Sequence, residues 1–274
     1  MSKIKLIACD LDGTLLNSKG YVSEENLKAI EELSKRGIYF VPASGRAFDE
    51  LPEQIAAAPF INYYVLSGGT CIYTKSTDEC HSFSMPRSTV REMFDICSEY
   101  HFCPVLHSGK HCIFDAKRMR KNNLLYVGHF EELFSRESYV WVEDMDELLD
   151  RASIDYASFC FESDEAMLAC YEKAKSVKGV SIVKNTMGEC FHNIEFGRLD
   201  SDKGSTTLSL ATRLGISEVE VAVIGDSEND LPMLTRFENS FAMANASERI
   251  KSISRYVACS NDEHIVKYML ENVL

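Results

Sequence analysis

The 10 cysteines of this chain are scattered from Cys9 to Cys259 and include no CxxC pair and no tight cluster. That absence argues against a zinc site of ordinary spacing and against a thioredoxin-like redox motif. A chain of 274 residues with 45% hydrophobic content does not need disulfide staples. The thiols therefore read as mostly buried side chains of a protein kept in a reducing cytosol. Basic runs are missing as well: 29 Lys and Arg stand against 42 Asp and Glu, a formal net charge of −13. Nothing in the chain can neutralise a row of phosphates, so a nucleic-acid partner is not expected. Long apolar runs are also absent. The first one is cut by Asp10 after a few residues, which fits neither a signal peptide nor a membrane span. There is no internal period and no low-complexity tract. What these absences leave is a soluble, cytoplasmic, globular chain with room for one large domain or two ordinary ones, as monomer or dimer.

What is present is concentrated at the ends of apolar runs. Lys5 to Cys9 reads as a buried strand of a parallel sheet, and it breaks into Asp10-Leu11-Asp12-Gly13-Thr14. In an open α/β sheet, ligands bind beyond the carboxyl ends of the strands. Asp10 and Asp12 alternate with Leu11, so in extended geometry both carboxylates leave on one side. Their repulsion is relieved by a hard cation such as Mg2+, which takes oxygen ligands and keeps positions open for phosphate. Ser23 then caps a helix with Leu27, Ile30 and Leu33 on one face and Gly37 as its stop. Ile38 to Val41 is a second strand, completing a βαβ unit that ends in Ala43-Ser44-Gly45-Arg46. A helix is expected from Ala47 to about Ala57, a third strand at Tyr63–Leu66, and a hairpin over 71–74 and 80–83.

From about Met85 the pattern changes to short alternating strands (103–106, 111–114, 139–142, 157–161, 180–184) with interleaved helices, an α+β insert. Phe191 to Phe196 is read as the strand leading back to the core. Asp202-Lys203-Gly204-Ser205 opens a helix, although a lysine in a first turn opposes the helix dipole. Val219 to Ile224 is the most apolar strand, ending in Gly225-Asp226-Ser227-Glu228-Asn229-Asp230. The tail alternates strand and helix and completes an α/β core.

Four motifs in this order, DLDGT, ASGR, SDKG and GDSEND, resemble those of the haloacid dehalogenase superfamily, and the wording is similar to its Cof-type sugar-phosphatase branch. The resemblance implies a Rossmann-like parallel-sheet core over 1–84 and 191–274, with a type IIB α+β cap over 85–190. It implies a Mg2+-dependent phosphatase acting on a small phosphorylated metabolite, with Asp10 as nucleophile and Asp12 as general acid and base. Mg2+ would be held by Asp10, the Asp12 carbonyl and Asp226. Backbone near Leu11, with Ser44, Gly45, Lys203 and Asn229, would surround the phosphoryl oxygens, and Asp230 would position Lys203 or a metal-bound water. The cap is expected to close over the site and exclude water. His107, Ser108, Lys110 and His111 on one turn, and Asn185 and Glu189 near the return, are its polar candidates for touching substrate. His107 and His111 carry a metal-like spacing, but Ser-Gly between them argues for a loop. Two alternatives remain, a phosphomutase and a non-catalytic phosphometabolite-binding protein. Only a short loop separates Asp12 from Ser23, which disfavours the first, and Asp10, Asp12, Lys203 and Asp226 together disfavour the second.

Overall fold

The computed structural model describes residues 4–121, 137–187 and 191–274. The chain runs through β1 (Leu6–Cys9), α1 (Glu24–Lys35), β2 (Tyr39–Pro42), the short α2 (Glu53–Ala56), β3 (Tyr63–Leu66), β4 (Cys71–Thr74) and β5 (Glu79–Ser82). It continues with α3 (Arg87–Cys97), β6 (Phe102–Ser108), β7 (His111–Asp115), α4 (Ala116–Lys121), β8 (Val140–Val142), α5 (Met145–Arg151), β9 (Tyr156–Phe161), α6 (Asp164–Ala174), β10 (Val180–Met187) and β11 (Phe191–Arg198). Then come α7 (Lys203–Arg213), β12 (Val221–Gly225), α8 (Leu231–Arg236), β13 (Asn239–Ala242), α9 (Glu248–Ile253), β14 (Tyr256–Val257) and α10 (Ile265–Asn272). These elements form two compact units, one of Met1–Arg46, Leu51–His81 and Asp202–Leu274, the other of Ala47–Glu50 and Ser82–Ser201.

The first unit is built on a parallel five-stranded sheet of order β14-β13-β12-β1-β2. Both central strands, LIAC and VAVIG, are buried along their whole length, as strands covered on both faces must be. Burying Leu6 and Ile7 alone, each 0% exposed, stabilises this unit by about 3–6 kcal/mol against leaving them in water. The register Leu6↔Val221 to Cys9↔Ile224 brings the two carboxyl ends level, so Asp10 and Asp226 emerge side by side. α1 begins where expected, with the Ser23 hydroxyl accepting from the Asn26 N–H at 3.2 Å.

The second unit carries a six-stranded sheet of order β10-β11-β9-β6-β7-β8, antiparallel except for the β7–β8 pair. One face is apolar, and α3, α5 and α6 cover it with Val90, Met93, Leu149 and Met167 against Leu106, Phe159 and Phe196. Alternation sends the intervening residues His107, Cys112, Tyr156, Ser158 and Glu195 to the other face. Buried Asp155 accepts from the Ser82 and Ser84 hydroxyls and the Gly109 N–H, each at 2.6 Å, and so ties the entry of the unit to the β6–β7 turn.

Two expectations about this layout need correction. The helix expected from Ala47 to Ala57 is a 3-10 turn at Phe48–Glu50 and a separate single turn at Glu53–Ala56. Pro52, extended at φ −56° and ψ 138°, divides them, since proline pushes its predecessor out of the helical region. Phe191–Phe196 does not lead back into the core: β11 pairs antiparallel with β10 and β9, and the chain rejoins the first unit at Asp202.

Candidate active site

Asp10 stands just past β1, 3% exposed, with its N–H on the Ile224 carbonyl at 3.0 Å. Lys203, the first residue of α7, has a fully buried side chain whose Nζ donates to Asp10 Oδ1 at 2.6 Å and Asp230 Oδ1 at 2.7 Å. The residue that opposes its own helix dipole thus lies between two carboxylates. Asp202 caps the same helix by accepting from the Ser205 N–H at 2.8 Å. Asp230 Oδ2 accepts from the N–H groups of Asp226 and Ser227, at 3.0 and 3.2 Å. Both its oxygens are therefore engaged. Asp226 Oδ1 accepts from the buried Thr14 hydroxyl at 3.0 Å.

Carboxylate oxygens of Asp10, Asp226 and Asp230 lie within 4.8 Å of one another. Burial, and then the neighbouring Asp230 charge, push the Asp10 carboxyl well above the usual range, with Lys203 pulling it back. The same two causes push Asp226 up to about 6. Burial pulls the Lys203 ammonium down, but the charges of Asp10 and Asp230 outweigh it and hold the group above its ordinary value. Three carboxylates against one ammonium leave an excess of negative charge in a buried place. A hard divalent cation offsets that excess, and the all-oxygen donor set suits Mg2+.

Asp12 points elsewhere. Its carboxylate, 57% exposed, takes a two-pronged ion pair from Arg46, Nη2 to Oδ1 at 2.7 Å and Nε to Oδ2 at 2.9 Å. Ser44 is buried at the end of β2, and its hydroxyl accepts from the Arg46 N–H at 3.2 Å. Leu11 is buried directly after Asp10, Gly45 is half-buried beside Ser44, and Asn229 is exposed, its Oδ1 accepting from the Ser227 hydroxyl at 2.8 Å. The expected core residues are thus gathered at the carboxyl edge of the parallel sheet or in the loops leaving it.

The expected residues of the second unit divide. His107 is not on a turn: it lies inside β6, 3% exposed, with Nε2 3.1 Å from Glu50 Oε2 and its ring stacked on Tyr156 at 5.3 Å. Lys110 is on the β6–β7 turn, its carbonyl accepting from the Asp49 N–H at 3.3 Å, and His111 Nδ1 is 3.1 Å from Asp49 Oδ2. Asn185 pairs with Asn193 in the β10–β11 ladder, and Glu189 lies outside the described residues.

The family model of the haloacid dehalogenase-like hydrolases matches residues 7–270. The chain belongs to that family. Phosphatase YwpJ of Bacillus subtilis is 30% identical, over 99% of this chain and 100% of that protein. YwtE of the same organism, a 5-amino-6-(5-phospho-D-ribitylamino)uracil phosphatase, is 27% identical over 99% and 98% of the two chains. A solved haloacid dehalogenase-like hydrolase from B. subtilis superposes with a TM-score of 0.81 at 26% identity, covering 99% of this chain and 100% of the other. With full-length phosphatases as relatives, the expected phosphomonoesterase class stands. So does the expected architecture of a haloacid dehalogenase core with a cap, the cap being the second unit.

Several residues that shape this haloacid dehalogenase-like site escape a reading by motif. Arg46 closes the second motif, yet its partner Asp12 is 34 residues away in sequence. Gly13 has φ +78°, and a Cβ there would lie 2.4 Å from Asp226 Oδ2, so the turn that presents Asp12 requires glycine. Asn245 holds that turn from outside, donating to the Gly13 carbonyl at 2.8 Å. Gly69, at φ +99°, packs so closely on the start of α7 that a Cβ would sit 2.1 Å from the Asp202 carbonyl carbon. Its carbonyl accepts from the Thr206 hydroxyl at 2.5 Å, which seats the helix that carries Lys203. The only available signal was the Ser67-Gly68-Gly69-Thr70 run after β3.

Proposed function

We propose that this chain is a Mg2+-dependent phosphatase that hydrolyses small phosphorylated metabolites through a phosphoenzyme formed on Asp10. The observation that carries the reading is the buried Lys203 ammonium, held between Asp10 and Asp230 at 2.6 and 2.7 Å. A protein that only needed a stable core would gain little from such a pair, because its desolvation cost rivals its attraction. Fixed charge aimed at a transferring phosphoryl group is the main lever of phosphoryl transfer.

In this mechanism an Asp10 oxygen forms a bond to phosphorus as the ester P–O bond breaks. Asp12 delivers a proton to the departing alkoxide, then takes one from the water that attacks phosphorus, releasing phosphate and restoring Asp10. Before either transfer Asp12 must let go of Arg46. Ser44, the Gly45 N–H, Lys203 and Asn229 would bind the phosphoryl oxygens, and Asp230 would hold Lys203 in line. Mg2+, held by Asp10, Asp226 and the Asp12 carbonyl, would neutralise charge on the incoming phosphate. Lys110 and Asn185 of the cap are proposed to read the leaving group.

The substrate class is sugar phosphates or nucleotide-related phosphomonoesters, and the relatives that act on 5-amino-6-(5-phospho-D-ribitylamino)uracil support the latter. Among the described residues no helix is long and apolar enough to cross a membrane. The test is a phosphate-release screen over these two classes with Mg2+, alongside Asp10→Asn and an EDTA control. Turnover that vanishes in both controls is the expected result. Turnover that survives in Asp10→Asn overturns the mechanism, and no turnover on any compound favours a binding protein on this fold.

A further inference from the structure

Away from the carboxylates of the core, the polar face of the cap sheet gathers three side chains of a different chemical kind. His107 and Cys112 are directly opposed in the antiparallel β6–β7 ladder, so both project to the same face. Glu50, on the 3-10 turn of the Ala47–Glu50 segment of the same unit, reaches them. One ligand atom from each of the three lies within 4.8 Å of the others. His107 and Cys112 are 3% and 0% exposed, and the Glu50 carboxylate is mostly covered, its Oε2 accepting from the Ala47 N–H at 2.7 Å.

We propose that Glu50, His107 and Cys112 form a second metal site, for a borderline-soft divalent cation of the Zn2+ type, built wholly within the cap. The donor set of one thiolate, one imidazole and one carboxylate is that of zinc rather than magnesium, which takes oxygen ligands in an octahedron. The separation of His107 Nε2 and Glu50 Oε2, 3.1 Å, is close to the spacing that two bonds of about 2.0–2.1 Å make at a tetrahedral angle. The imidazole is also held in place, since its ring stacks on Tyr156. Binding exchanges the thiol proton for the metal, and two anionic ligands then balance its two charges. The ion would clip the Ala47–Glu50 segment to the β6–β7 hairpin, and a water would complete the four-coordinate shell. The His107–His111 spacing of the sequence is not the metal pair. Adjacent residues of a strand face opposite ways, so Cys112 joins His107 and His111 turns to Asp49.

The experiment is titration of the full-length reduced protein with Co2+, followed by electronic absorption. One Co2+ per chain with a thiolate-to-cobalt charge-transfer band and tetrahedral-strength visible bands is expected. Any Co2+ taken by Asp10, Asp226 and Asp230 gives no such band, because that set has only oxygen donors. Cys112→Ser should abolish the band. Cys160→Ser, on the same face but outside the cluster, should leave it unchanged. Glu50→Gln, which keeps the size of the side chain and an acceptor oxygen for the Ala47 N–H, should weaken Co2+ binding by roughly tenfold or more while the thiolate band remains at saturation. Absence of a thiolate band in the wild type, or its persistence in Cys112→Ser, overturns the proposal. Unchanged affinity in Glu50→Gln removes Glu50 from the site and overturns it as stated.

Discussion

Replacing Lys203 by methionine keeps much of the side chain's length and apolar stem and removes one charge. In the native protein that charge is fully buried and faces two carboxylates at 2.6 and 2.7 Å, themselves only 5% and 0% exposed. Removing one partner of a buried ion pair costs about 3–5 kcal/mol, because the other partner is left charged and dry. Here one substitution strands two carboxylates, so the upper end applies. For a unit of this size each kcal/mol moves the melting temperature by about 2–4 °C, which gives a fall of about 10–20 °C. The sign of the pH dependence follows from the same geometry. The stranded Asp10 carboxyl has a folded-state pKa above its unfolded one, so the folded variant takes up protons more readily than the unfolded chain. The penalty is full at neutral pH and fades as pH falls toward the unfolded carboxyl range. Thermal unfolding of both proteins in EDTA, at neutral and mildly acid pH, reads both effects. A fall of less than about 5 °C, or a gap that widens on acidification, would refute the reasoning. Turnover should drop by at least about 10²–10³-fold, the scale for losing a preorganised charge at a reacting centre.

Three further outcomes are expected. Gly13→Ala imposes a positive φ on alanine and drives its Cβ into Asp226, so it should cost about 1–2 kcal/mol and weaken the Mg2+ dependence of activity, read by Mg2+ titration of the rate. Arg46→Met removes a half-exposed pair and should change stability by less than about 1 kcal/mol. Its effect should instead fall on turnover, and more on alkyl phosphates, whose leaving groups need the Asp12 proton, than on p-nitrophenyl phosphate, whose leaving group does not. Asp226 is raised to about 6, so in the metal-free protein its share of stability is lost as pH rises from the unfolded carboxyl range through about 6. Mg2+ competes with that proton, and the rise in melting temperature it produces should be large above pH about 6 and shrink below it.

The core motifs were legible because each follows an apolar strand, and parallel register does the rest. Once β1 and β12 are paired, Asp10 and Asp226 have nowhere else to go. Lys203 was legible for a second reason, since its position is unfavourable for a helix and so asks for another cause. The Asp12–Arg46 pair was not legible, although both residues sit in motifs, because nothing local says which way an exposed carboxylate turns. Gly69 was hidden for a similar reason, as its constraint comes from the backbone of a helix more than a hundred residues later. In the cap, Cys112 looks like any core cysteine until the hairpin register sets it opposite His107. The stretch 47–57 shows the opposite failure: one helix was expected across it, but Pro52 divides it into two short turns. Strand 191–196 was recognised as a strand, but a sequence does not say which sheet a strand joins.

The pairing of β1 with β12 also bears on how the chain reaches this state. β1 can find β2 early, since Leu6 and Tyr39 are close in sequence, but its other neighbour begins at Val221, 215 residues after Leu6. At about 5–20 residues per second of synthesis, one edge of the most apolar strand pair waits on the order of 10–40 s for its partner. The cap sequence is made entirely within that interval and has its own core, so it can fold first and shorten the loop left to close. Until then the unpaired edge of LIAC is open to pairing with another chain.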